Sequence, residues 1–104
     1  MGYNLIVSEK ADELIDNLVG YLIYKLKNNQ AASNFLDEIE TVYGRLEDNP
    51  YQFPISRDKY LAFQGYHEAH FEKMSYHVVF RIVDETVFIV GVFHDLEDYA
   101  KKVF

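Results

Sequence analysis

The feature that most constrains this chain lies between Gly65 and the C-terminal tail. Three stretches there, residues 66–73, 76–83 and 86–93, alternate apolar with other side chains, and only Met74-Ser75 and Asp84-Glu85 separate them. Alternation at period two marks half-buried strands, and links of two residues join antiparallel neighbours. The pattern predicts a meander of three strands. A meander alone leaves one apolar face in water, so another part of the chain must cover it.

Two amphipathic stretches upstream supply that cover. In the first, Leu14, Leu18 and Leu22 recur at four-residue spacing with Ile15, Val19 and Leu26 beside them. Ser8 offers an oxygen to cap the helix, and Glu9, Asp12 and Glu13 sit near its positive end. After Asn28-Asn29, with Asn29 as the expected cap, a second helix carries Ala32, Phe35, Leu36, Ile39, Val42, Tyr43 and Leu46 at spacings of three and four. Asp48-Asn49-Pro50 ends it, because the residue before proline avoids the helical region. A short connection folds the two helices into an antiparallel hairpin.

The remaining segments are brief. Tyr3, Leu5 and Val7 alternate as a short N-terminal strand, residues 51–64 read as irregular with one helical turn over residues 59–63, and residues 94–104 end in a short helix. The expected fold is therefore α+β: strand, two-helix hairpin, three-strand meander, terminal helix. Residues 1–104 make one domain, since splitting 104 residues would leave each half too small a core. With 9 Tyr and 8 Phe there is ample core material, and Phe35, Tyr43, Phe71 and Phe80 are assigned to it.

Charge and cysteine content narrow the function classes. Seventeen acids against ten Lys and Arg give a formal net charge of -7, which disfavours tight nonspecific nucleic-acid binding. The absence of cysteine excludes a disulfide framework and thiolate zinc sites. Residues 1–7 are too short for a signal peptide, and no apolar run approaches the roughly 18 residues a membrane span needs. A soluble cytoplasmic protein without membrane contact is expected.

Several short segments, in order, resemble the RelE/ParE superfamily of type II toxins, also called plasmid stabilization proteins. They are the opening Tyr3-Asn4-Leu5-Ile6-Val7-Ser8, the helix end Leu46-Glu47-Asp48-Asn49-Pro50, the pair Gly65-Tyr66, the stretch Tyr76-His77-Val78-Val79-Phe80-Arg81-Ile82, and the ending from His94 to Tyr99. The resemblance implies the toxin half of a toxin-antitoxin pair, neutralised by a cognate antitoxin segment that folds as it binds. Many members of the family cleave mRNA on the ribosome; another branch inhibits DNA gyrase without cutting anything. The first activity makes mRNA and the ribosome the partners, the second gyrase. An acidic toxin further implies a less acidic antitoxin, or one held mainly by apolar contacts.

Ribonuclease chemistry needs a base near the ribose hydroxyl, cations around the phosphate and a proton donor for the leaving oxygen. The family commonly has arginine where this chain has His67 and His77, and basic residues where it has Leu96-Glu97 before Asp98-Tyr99. On the catalytic reading, His67, His77 and His94 fill the cation or acid/base positions. Lys73 and Arg81 hold phosphate, and Tyr99 donates a proton or stacks. By the resemblance, mRNA cleavage on the ribosome is the leading activity. An imidazole near its reference pKa of about 6.5 is mostly neutral at pH 7, however, and the replaced cations favour the alternative, a noncatalytic binder: a gyrase inhibitor, or a decayed toxin that binds only its antitoxin.

Position by position, surface histidines and a sheet-packed arginine account for the same residues. Chelation by His67, His77 and His94 lacks any supporting spacing, so neither metal nor other cofactor is expected. Glu68, His70 and Glu72 alternate on the opposite face of their strand and read as a solvated or edge-protecting row.

Overall fold

The computed structural model describes residues 2–103; Met1 and Phe104, the two ends of the N- and C-terminal segments read above, lie outside the described residues. The chain opens with β1 (Asn4–Val7), then α1 (Glu9–Gly20), a π-helical turn (Tyr21–Lys25) and α2 (Asn29–Asp48). A 3-10 turn (Pro50–Gln52) and α3 (Lys59–Phe63) lead into β2 (Tyr66–His70), β3 (Tyr76–Val83) and β4 (Thr86–His94). The tail ends in α4 (Ala100–Val103). This is the expected α+β order.

The helix boundaries follow from local chemistry. Ser8 accepts the Ala11 N–H at 3.0 Å, and Glu9 and Asp12 occupy the first turn of α1. Lys27 takes a left-handed φ of 51°, which ends the first helical run and brings Asn28, rather than the expected Asn29, into the capping position of α2, accepting from Ala31 N–H at 3.0 Å. The helix stops at Asp48, just ahead of Asn49-Pro50. Asp58 caps α3 by accepting the Leu61 N–H. No helix among the described residues is long and apolar enough to cross a membrane.

The four strands form one sheet in the order β1-β4-β3-β2. The last three pair consecutively and antiparallel, and β1 adds to the free side of β4 in parallel, Leu5 opposite Val87 and Val7 opposite Ile89. One sheet face carries Ala69, Val78, Phe80, Val87, Ile89 and Val92 into a core shared with Phe35, Ile39, Val42 and Leu46 of α2. Phe71 joins this core, Tyr43 packs at its margin, and Leu36 stays exposed. The opposite face carries a second cluster, Leu61, Tyr66, Val79, Phe93 and Tyr99, with Leu14 of α1 against it.

Two departures from regular strand geometry decide what lies on each face. First, β2 ends at His70, so Lys73 sits in a five-residue connection rather than on a strand. The carboxylate of Glu38, reaching from α2, accepts the N–H groups of Glu72 and Lys73, which a longer strand would have used for pairing. Second, Val79 pairs with Gly91 while Phe80 pairs with Ile89, leaving Val90 as an extra residue in β4. Such a bulge reverses the facing of every later side chain in its strand. Without it Phe93 would join Ile89; with it Phe93 pairs with His77 on the opposite face, and His94 pairs with Tyr76 on the helix side.

Candidate functional site

The outer edge of β2 is not open. Ile55 forms a bridge to His67, Ser56 N–H donates to Tyr66 carbonyl at 2.9 Å, and Glu68 N–H donates to Pro54 carbonyl at 3.0 Å. Proline provides no donor, which suits it to an edge segment. This cover is why Glu68, expected in a solvated row, is only 1% exposed.

Glu68 is the hub of the polar side of the sheet. Its Oε2 accepts from Ser56 Oγ at 2.7 Å and from Arg57 N–H at 3.0 Å, and also from the Tyr99 hydroxyl. Its Oε1 faces Arg57 Nε at 3.3 Å and His70 Nε2 at 2.9 Å. Burial pushes this carboxyl up, but the hydrogen bonds from Tyr99, Ser56, His70 and the Arg57 backbone outweigh it and hold the group down at about 2. Glu68 is therefore a fixed anion, not a proton donor, near neutral pH.

A second unit abuts the hub. His77 is 0% exposed, and its Nδ1 donates to Asp95 Oδ1 at 2.8 Å. His70 stacks on His77 with ring centroids 4.9 Å apart, and its Nδ1 lies 3.4 Å from the same Asp95 oxygen. Tyr99 meets the His77 ring edge-to-face at 4.4 Å. Burial pushes His77 below its ordinary pKa, outweighing the hydrogen bond it donates to Asp95, so its ring is mostly neutral at pH 7. Its Nε2 is buried and has no hydrogen-bond partner among the described residues. Burial, then the bond to Glu68, raises Tyr99 above the usual phenol range.

Of the six residues singled out from sequence, the fold brings together only His77 and Tyr99. His67 faces the helix side, stacked on Phe80 at 5.3 Å with Nδ1 3.1 Å from the Phe53 carbonyl. His94 is on that side too, edge-on to Tyr76 at 5.2 Å and accepting the Leu96 N–H. The Val90 bulge put it there; strict alternation would have left it beside His77. Lys73 lines a shallow acidic depression with Glu38, Asp37 and Glu72, away from the hub. Arg81 lies over the Tyr66 ring at 5.4 Å on the same face as His77, further along the sheet.

Ser56, Arg57, Glu68, His70 and Asp95 were missed as site residues. Alternation did place Glu68 and His70 on one face, and Pro54 hinted at an edge segment. The capture of Glu68 by residues 56–57 is tertiary and leaves no local signal.

With this geometry in hand, comparison with known proteins adds three findings. Residues 5–99 match the family described as the ParE toxin of the type II toxin-antitoxin system, parDE. No curated protein sequence matches. Among solved structures, the chain is similar to one from the chromosomal ParDE system of P. aeruginosa, with TM-score 0.70 and 16% identity over 88% of this chain and 95% of that one. It is also similar to one from the toxin-antitoxin complex RelBE2 of Mycobacterium tuberculosis, with TM-score 0.59 and 22% identity over 90% and 99% of the two chains. A mutant of the E. coli toxin RelE in the free state superposes with TM-score 0.50 and 20% identity over 99% and 90%. At these identities the structural likeness establishes the fold.

Proposed function

The chain belongs to the ParE toxin family of type II toxin-antitoxin systems, and from that premise we propose that it acts as a noncatalytic inhibitor, silenced by a cognate antitoxin. One observation carries the noncatalytic reading: the groups an RNA-cutting site must offer to substrate are consumed inside the protein. The Tyr99 hydroxyl is spent on Glu68, His77 is sealed from solvent, and Arg57 at the rim turns its Nε toward the same carboxylate. A pentavalent phosphate gains negative charge in its transition state and needs cations aimed at it. The polar face instead centres on the buried anion of Glu68 in a chain of net charge -7.

By the family resemblance the target is DNA gyrase, a cytoplasmic protein, and the toxin shares that compartment. Recognition of antitoxin and target then falls to apolar surface. Tyr24 and Phe63 are 79% and 86% exposed, and Tyr21, Leu26 and Ile55 are also solvent-facing, apolar side chains of the kind a segment that folds on binding would cover. Such contacts suit an acidic toxin, because they need no oppositely charged partner.

The test combines expression without antitoxin with an assay on the purified protein. Arrested growth, inhibited gyrase supercoiling and an unchanged map of mRNA 5′ ends are expected. New cuts within translated mRNA, in register with codons, would overturn the reading in favour of ribosome-dependent endoribonuclease activity. Unimpaired growth together with tight antitoxin binding would reduce the protein to a decayed toxin.

A further inference from the structure

We propose that His70, His77 and Asp95 form a binding site for a divalent transition-metal ion of the Zn2+ type, held through the two imidazole Nδ1 atoms and Asp95 Oδ1. One ligand atom from each residue lies within 4.8 Å of the other two. Zinc bonds of about 2.0–2.1 Å to nitrogen and oxygen put tetrahedral donors roughly 3.3 Å apart. The His70 to Asp95 separation of 3.4 Å already fits, and the His77 to Asp95 separation of 2.8 Å must widen by about half an ångström. Asp95 can supply that movement, since it follows the last strand and is 27% exposed.

The hydrogen bonding points the same way. Glu68 offers only acceptors to His70 Nε2, which places a proton on that nitrogen and leaves His70 Nδ1 facing Asp95. His77 Nδ1 faces the same Asp95 oxygen, so two imidazole nitrogens and a carboxylate oxygen converge, and a bound ion would take the place of the proton shared between His77 and Asp95. The Glu68 to His70 bond is also the outer arm of a carboxylate–histidine–metal arrangement, which fixes the tautomer and ring orientation of a ligand.

The donor set selects the ion. Imidazole nitrogen suits zinc and its neighbours rather than magnesium or calcium, which take oxygen ligands. His70 is 36% exposed, so a fourth position opens toward water. Bound there, the ion would join β2, β3 and the turn after β4. That would fasten the tail, with Tyr99, to the sheet and stabilise the fold by mass action.

The experiment uses the full chain without a histidine tag, freed of metal by chelator and titrated with ZnCl2 by calorimetry and by thermal unfolding. One ion per chain and a rise in Tm are expected. His70→Gln and Asp95→Asn, both at solvent-accessible positions, lower the affinity at least about tenfold, while His67→Gln leaves it unchanged. In the unsubstituted protein, zinc should shift the Nδ1 resonances of His70 and His77 and spare those of His67 and His94. Absence of heat and of any Tm change would overturn the proposal. So would undiminished binding in both variants, or nitrogen shifts confined to other histidines, and this last reading does not depend on the variants folding.

Discussion

The two faces of the sheet are built on different principles. The helix side is filled by volume: Phe35 packs edge-on against Phe71 and Tyr76, and Phe80, Val78, Val92 and Ile89 close the space beneath α2. The opposite side is wired, with Ser56, Arg57, His70 and Tyr99 all aimed at the buried carboxylate of Glu68, and His77 and Asp95 alongside. A filled face tolerates any apolar set of about the right size, whereas a wired face fails when one partner is missing. Both faces hold the fold together, and the proposed metal site lies on the second.

The largest effect should come from emptying the filled face. Phe80→Ala is expected to cost about 4 kcal/mol in chemical denaturation, through lost burial and the cavity left behind. On the wired face, Glu68→Gln should cost about 3 kcal/mol, because it removes the charge that four side chains and a backbone N–H converge upon. If the glutamine variant were as stable as the parent, the contrast between the faces would collapse. Gly91→Ala probes the bulge where the faces exchange: an added Cβ would stand 2.4 Å from the buried Phe93 ring, and a loss of about 2 kcal/mol is expected.

Acid should act strongly on the wired face. Because His77 is depressed, the unfolded chain binds more protons than the folded one below about pH 6.5, so unfolding free energy falls as pH drops through that point. Glu68 adds a second decline as pH falls from 4.5 toward about 2, where its stabilising charge is lost. A His77→Gln variant should flatten the first decline and keep the second; denaturation midpoints across pH would show it. The smallest change belongs to Arg81→Ala, about 0.5 kcal/mol, since its guanidinium rests on Tyr66 at an exposed position.

Much of the filled face could be read from periodicity. Ser8, Pro50 and the three alternating stretches set the helices and the meander, and α2 buries Ala32, Phe35, Ile39, Val42 and Leu46 at the expected spacing. The wired face was mostly hidden, because its geometry depends on events between distant segments. The extra residue at Val90 sent His94 away from His77, the Glu38 carboxylate stopped β2 short of Lys73, and residues 54–56 buried Glu68. Pro54 and Gly91 carried the local hints, since proline suits an edge segment and glycine inside a strand often accompanies a bulge.

The strip from Pro54 to Ser56 has a consequence for traffic at the sheet rim. A guest peptide seeking to extend the sheet beyond β2 would first have to evict it, forfeiting the bonds to Tyr66 and Glu68 and exposing the anion behind them. The molecule thus carries its own plug against runaway polymer growth through that border.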